Sequence, residues 1–165
     1  MFILGNIEKL PINAIEFEQV IQAVANIEAM VQPQDMWTYE TLIELLKQDS
    51  IKMLSICEQQ EEAINNKVIG YCLYQVVFEQ AEILRIGTHP DYQRQGIASQ
   101  IFTSLNKELQ NQKVESLLLE VRADNFAAIA LYEQQGFTVI HRRKGYYQAP
   151  HQPAVDALIM QRVYV

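Results

Sequence analysis

The stretch that most constrains this chain is Ser116-Leu117-Leu118-Leu119-Glu120-Val121, apolar at almost every consecutive position. A run of this kind reads as a strand covered on both faces, central in its sheet and paired in parallel, with helices packed above and below. A chain of 165 residues is long enough for one such layered domain and short for two, so the expected organisation is a single domain over residues 1–165.

The flanking sequence supplies the other layers. A short strand opens the chain, and a first helix is expected from Ile12 to about Met30, where Ile15, Val20, Ile21, Val24 and Ile27 keep helical spacing. Gln32-Pro33-Gln34-Asp35 breaks it. Thr38 can then cap a second helix to about Gln48, with Trp37 placed to staple onto Leu42. Ile51 to Cys57 and Val68 to Phe78 read as strands joined by a polar turn, Glu58 to Asn66. Glu82 to Thr88 forms a third strand, ended by His89-Pro90-Asp91 because proline cannot donate to a ladder. From Ile97, apolar Ile101, Leu105 and Leu109, with Phe102 beside them, define an amphipathic helix that starts at a glycine loop. After the central strand, Asp124 or Asn125 can cap a helix through Gln135, closed by Gly136. A strand begins at Phe137 to Ile140, a loop rich in Tyr, Gln and Pro runs from Gly145 to Pro153, and a last strand covers about Ala157 to Val165. The order is β-α-α-β-β-β-α-β-α-β-β, an α/β (α+β) mixed sheet with helices against its faces.

Charge and cysteine use narrow the function classes. Thirteen Lys and Arg against twenty Asp and Glu give a net charge of -7, which repels nucleic acid and favours basic or amine-bearing partners, so direct DNA binding is not expected. Cys57 and Cys72 are too few for a disulfide framework and share no metal-ligand spacing with His89, His141 or His151. Both cysteines read as reduced, structural thiols, and no metal is expected. Met1 to Asn6 lacks the basic flank and apolar core of a signal peptide, and no run approaches the ~20 apolar residues of a spanning helix. A cytoplasmic protein with no membrane role is expected.

Three features carry chemistry. The first is Gln93-Arg94-Gln95-Gly96-Ile97-Ala98, between a strand and a helix. Free N–H groups at a helix start carry partial positive charge and bind phosphate when no side chain blocks the approach; Gly96 and Ala98 remove that block and Arg94 adds a cation. A plain glycine turn is the competing explanation. The second is Glu120. A carboxylate on a buried strand is costly unless it is used, protonated or paired, which makes it either a general base or half of a salt bridge with Arg85 or Arg122. The third is Tyr132, seven residues beyond Asn125, which is either a proton donor or a core tyrosine with a hydrogen-bonded tip.

The run from Ile86 through Thr88, His89-Pro90-Asp91-Tyr92 and on to Ala98 resembles the acetyl-CoA motif of the GNAT acetyltransferases, where Gln/Arg, two residues, Gly, one residue, then Gly or Ala follow a strand. Leu118 to Asn125, followed by Ala130-Leu131-Tyr132-Glu133-Gln134-Gln135-Gly136-Phe137, resembles the second motif of a branch that acetylates the N-terminal alanine of a small-subunit ribosomal protein. The motifs cover about residues 84–137, with weaker similarity at Trp37-Thr38 and at Arg142-Arg143 with Tyr146-Tyr147. The resemblance implies a mixed, mostly antiparallel sheet of about seven strands with helices on both faces. It implies that Ile86, Gly87 and Thr88 meet the acetyl and pantetheine end of acetyl-CoA. Arg94, Gln95, Gly96, Ile97, Ala98 and Ser99 would hold the pyrophosphate, and Asn125 the amide arm. Glu120 would be the base and Tyr132 the acid. The chain departs from the branch in having Gly87-Thr88-His89 where Ala-Val-Asp is usual, and in its final loop Gln148 to Pro153.

The activity so implied is acetyl transfer from acetyl-CoA to a primary amine, foremost a protein N-terminal α-amino group such as that of a ribosomal protein. Trp37, Glu40, Tyr146 and Tyr147 are candidate walls for a basic N-terminal peptide or, equally, ordinary surface and core residues. Acetylation of a small amine or polyamine on the same fold is one alternative, and a non-catalytic acetyl-CoA-binding regulatory module is another. A monomer or weak dimer is expected.

Overall fold

The computed structural model describes residues 2–6, 14–58 and 67–164. The elements are β1 (Phe2–Asn6), α1 (Ala14–Val31), α2 (Tyr39–Leu46), β2 (Ile51–Glu58), β3 (Lys67–Val77), β4 (Gln80–Thr88), α3 (Ile97–Asn111), β5 (Ser116–Arg122), α4 (Phe126–Gln134), β6 (Thr138–Tyr147) and β7 (Val155–Val163). Their order is the one expected from the sequence. A 3-10 turn at Pro90–Tyr92 was not foreseen; the His89 side chain caps it by accepting from the Asp91 N–H. The expected turn between β2 and β3 lies outside the described residues from 59 to 66.

The chain forms two compact units, residues 1–75 with 84–108 and residues 76–83 with 109–165. In the first, the strands follow the order β1-β2-β3-β4, with β1 antiparallel to β2 and β2 antiparallel to β3. Ile21, Val24 and Ile27 of α1 and Leu42 of α2 are buried with Met53 of β2 and Tyr71 and Leu73 of β3, so one apolar stripe per helix covers the sheet. Thr38 caps α2 by accepting from the Thr41 N–H at 3.3 Å, and Trp37 packs against the cluster that contains Leu42, as the sequence predicts.

In the second unit the order is β4-β5-β7-β6. Gln80 to Ile83 runs parallel to Ser116 to Leu119, and both β5–β7 and β6–β7 are antiparallel. The seven strands make a mixed, mostly antiparallel sheet. β5 is central and parallel-paired as expected, but it is not covered equally on both faces. Leu117, Leu119 and Val121 are buried, whereas Leu118 and Glu120 on the opposite face are half-buried. An unbroken apolar sequence does not report this difference, because alternate side chains of a strand face opposite sides.

The tail of the chain needs a second correction. β6 continues to Tyr147 through what the sequence predicts to be the start of a loop. Its pairing with β7 is interrupted between Arg143 and Tyr147, where Gly145 takes a φ of 60°, and resumes at Tyr147 opposite Val155. Gly145 therefore marks an irregularity inside the strand. Asp156 fixes it, accepting from the Gly145 N–H at 2.8 Å and from Arg142 at 2.9 Å. Those two bonds hold the Asp156 carboxyl below the usual carboxylate range.

Candidate functional site

The glycine loop belongs to the first unit and is built backwards from the helix. Gly70 of β3 lacks a side chain where one would meet Ile97 at 2.7 Å, so the first turn of α3 seats directly on the strand through the buried Ile97 and Ile101. The start of the helix is thereby fixed in place. Gly96 occupies the cap position, its carbonyl accepting from the Gln100 N–H at 3.0 Å, and it has no side chain with which to cap the free N–H groups of the first turn that follows. Arg94 and Gly96 both take positive φ, 60° and 81°, and the space beside Gly96 is open. The glycine is thus required by backbone conformation rather than by crowding. No acidic residue sits in the first turn of α3 to neutralise its positive end.

Neighbouring side chains brace this loop. Gln93 donates to the Thr88 carbonyl at 3.3 Å and Gln95 to the Asp91 carbonyl at 2.9 Å. The Tyr92 hydroxyl donates to Glu58, and Lys67 lies 4.9 Å from the Tyr92 ring centre. Gln95, expected on the pyrophosphate, has its side-chain amide committed to the loop itself, leaving its main chain to serve a ligand. An exposed, braced loop that opens an uncapped helix is an anion-binding arrangement.

Gly87, on β4 just upstream, stands where the resemblance leads one to expect alanine. A Cβ there would come within 2.7 to 2.8 Å of the Tyr71 ring and hydroxyl. Tyr71 is fully buried and donates to Glu28, so its ring has little freedom to yield. Gly87→Ala is therefore expected to destabilise the protein by about 1–3 kcal/mol through overpacking. Denaturant midpoints at constant slope check this; an unchanged midpoint would mean that the ring gives way.

Glu120 lies in the second unit, its side chain 25% exposed. The β5–β7–β6 register puts Glu120, Ala157, Ile159 and Arg143 on one sheet face, and the small Ala157 lets Arg143 reach across β7. Arg143 donates to Glu120 Oε2 and the Tyr147 hydroxyl to Oε1, each at 3.0 Å. Neither cation considered from the sequence is the partner: Arg122 pairs with Asp124 at 2.9 Å and Arg85 with Asp35 at 2.8 Å. Arg122 is taken by an acid two residues away and Arg85 by one fifty residues away, while the cation that meets Glu120 comes from β6. The Arg143 guanidinium also lies 4.0 Å from the Tyr146 ring centre, and Tyr146 and Tyr147 meet edge to face at 5.1 Å.

Burial, followed by the hydrogen bond to Glu120, pushes the Tyr147 phenol up to about 12. A folded value raised above the ordinary one of about 10 means that the stabilisation is complete below pH ~10 and is lost as pH rises from there through ~12. Subtracting the alkaline absorbance titration of Tyr147→Phe from that of the parent should isolate this late-ionising phenol. An ordinary midpoint would show that the bond to Glu120 is not made in solution.

The remaining candidates are placed as follows. Tyr132 is buried on α4, its ring 6.0 Å from that of Phe137. Asn125 caps α4, its side-chain oxygen accepting from the Ala128 N–H at 3.2 Å; of the two expected caps, Asp124 is held instead by Arg122. Trp37 is half-buried in the first unit, where its backbone N–H donates to Glu28 and Arg85 stacks on its ring, whereas Glu40 is exposed in the first turn of α2. Glu28 and Arg143 were not singled out from the sequence as site residues. The only signals were a lone acid on an apolar helix stripe and a basic pair close to two tyrosines. Cys72 is a free, buried thiol whose pKa burial raises, which keeps it unreactive.

An uncapped helix start after a strand, on a mixed and mostly antiparallel sheet, is a framework suited to a phosphate-bearing cofactor. The sequence matches the Acetyltransferase (GNAT) family model over residues 23–137, and the chain belongs to that family. Its relatives include the ribosomal protein bS18-alanine N-acetyltransferase of Escherichia coli K12, 43% identical over 96 residues that span 58% of this chain and 64% of that protein. An N-alpha-acetyltransferase of Saccharolobus solfataricus is 26% identical over 155 residues, 86% of each chain. The crystal structure of the Escherichia coli ribosomal-protein-S18-alanine N-acetyltransferase superposes with a TM-score of 0.80 at 29% identity, covering 99% of this chain and 94% of that one. Among the described residues no helix is long and apolar enough to cross a membrane.

Proposed function

We propose that this chain transfers an acetyl group from acetyl-CoA to the N-terminal α-amino group of a protein, with a ribosomal protein as the foremost acceptor. Cofactor use is supported above all by the Gly96 loop, whose open, positively polarised helix start suits a pyrophosphate. The N-terminal acceptor is supported by the activity of the relatives. The backbone of Arg94 to Ser99 would hold the pyrophosphate, Asn125 the amide arm of the cofactor, and the N–H groups near Ile86 to Thr88 the carbonyl oxygen as it gains charge.

The chemistry places modest demands on the protein. An α-amino group has a pKa of about 7.7–8.0 against about 10.4 for lysine, so freeing its lone pair at neutral pH is easier by roughly 3–4 kcal/mol. Glu120 takes the ammonium proton directly or through one water. The amine nitrogen then bonds to the thioester carbon, the carbon–sulfur bond breaks, Tyr132 gives its proton to the departing sulfur, and the second proton shed by the nitrogen returns through water to the Tyr132 phenolate, leaving a neutral amide. Arg143 and Tyr147 each occupy one oxygen of Glu120, but a carboxylate oxygen has two lone pairs, so acceptor capacity remains for an ammonium or a water. Trp37, Glu40, Tyr146 and Tyr147 are proposed to contact the acceptor, in a cytoplasmic enzyme.

Acetyl-CoA turnover on short peptides differing in their first residue, measured beside free amines and a polyamine, tests the proposal. Turnover of peptides, led by those beginning with alanine, is expected. Turnover of free amines alone would overturn the acceptor assignment, and acetyl-CoA binding without any turnover would leave only a regulatory module.

A further inference from the structure

The chemistry above makes no use of the most deeply buried charged group among the described residues. Glu28, in the last turn of α1, is 0% exposed within an apolar cluster. A carboxylate there is unfavourable twice over, through desolvation and through its place near the negative end of a helix. Buried ion pairs are also a weak source of stability compared with well-packed apolar side chains. What Glu28 does accomplish is to gather donors from three separate segments. It accepts from the Tyr71 hydroxyl of β3 and from the Trp37 N–H at 3.0 Å, and its Oε2 lies 3.8 Å from Arg85 Nε of β4.

Arg85 grips the same loop from the other side. One guanidinium nitrogen, Nη2, donates both to the Asp35 carbonyl and to its carboxylate, each at 2.8 Å, while the guanidinium carbon lies 4.5 Å from the Trp37 ring centre. Arg85 Nε is buried and has no hydrogen-bond partner among the described residues, where the nearby Glu28 carboxylate compensates it. The segment from Gln32 to Thr38 is therefore clasped at its backbone by Glu28 and at its outer end by Arg85. We propose that Glu28 and Arg85 are a positioning pair that holds Trp37 in the orientation needed to receive the acceptor peptide. The acceptor part of this proposal rests on the N-terminal acetyltransferase reading above.

Trp37 is the only tryptophan in the chain, so its fluorescence reports the clasp without reference to activity. Glu28→Leu removes the tether. It is expected to increase acrylamide quenching of Trp37 and to raise KM for an N-terminal peptide about tenfold, with KM for acetyl-CoA within about twofold. Glu28→Gln keeps an oxygen for the Trp37 N–H and should restore most of the parent behaviour. Should Glu28→Leu fail to fold, Arg85→Gln and Asp35→Ala carry the same expectation in weaker form; the Asp35 side chain is 81% exposed, so its removal leaves the core intact. Unchanged quenching in all these variants would overturn the clasp. Increased quenching with an unchanged peptide KM, or with both KM values raised together, would overturn its role toward the acceptor. A parent protein that binds acetyl-CoA but acetylates no peptide would refute the acceptor reading while the quenching data still decided the clasp.

Discussion

Glu120→Gln should lower kcat at pH 7 by about 100-fold, at the low end of the range for a positioned general base. The amide keeps the size of the side chain and an oxygen that can still accept from Arg143 or Tyr147, so the fold of β5, β6 and β7 should survive. What it loses is the ability to take a proton. The size of the defect should depend on pH in a way that identifies the role. With an amine pKa of about 7.7–8.0, roughly a tenth of the acceptor is already neutral at pH 7 and most of it at pH 9. A base that only deprotonates the acceptor becomes dispensable as pH rises, so most of the lost kcat should return by pH 9. Full turnover of the variant at pH 7 would remove Glu120 as the base. A deficit of the same size at both pH values would mean that the carboxylate orients the acceptor.

The largest loss of stability is expected from Glu28→Ala, about 3–5 kcal/mol, the usual cost of breaking a buried charged pair by removing one partner. Three groups would lose their partner at once: the Tyr71 hydroxyl, the Trp37 backbone N–H and Arg85 Nε, although the Arg85 guanidinium keeps Asp35. At about 2–4 °C per kcal/mol for a chain of this length, Tm should fall by roughly 6–20 °C. Tyr71→Phe, which removes one neutral donor and leaves the carboxylate its other partners, should cost only about 1 kcal/mol. Equal costs for the two variants, measured by thermal and urea unfolding, would show that Glu28 is not the organising group of the cluster.

Both predictions concern long-range partnerships, and there the sequence was least informative. Glu120 stood out as the one charge in an apolar strand, but its contacts lie 23 and 27 residues away. The cations nearest at hand in the sequence and meander, Arg122 and Arg85, were the natural guesses, and both are committed to aspartates. Tyr147, considered as a peptide wall, also donates to the Glu120 carboxylate. Gly87 appeared to be a departure from a motif until the Tyr71 ring supplied its reason.

The sequence by itself determined the order of the elements, the Thr38 cap, the cap of α4 to within the pair Asp124 and Asn125, the glycine loop before α3 and the family of the chain. All of these depend on residues a few positions apart, where helical or strand periodicity, proline and glycine act within one turn or one strand. Only the tertiary structure decided which side of β5 is covered, which cation and phenol meet Glu120, and why a carboxylate sits buried in α1. Each of those outcomes follows from strand register and helix placement. In a sheet, a one-residue slip sends every side chain to the other face, so local sequence alone cannot determine them.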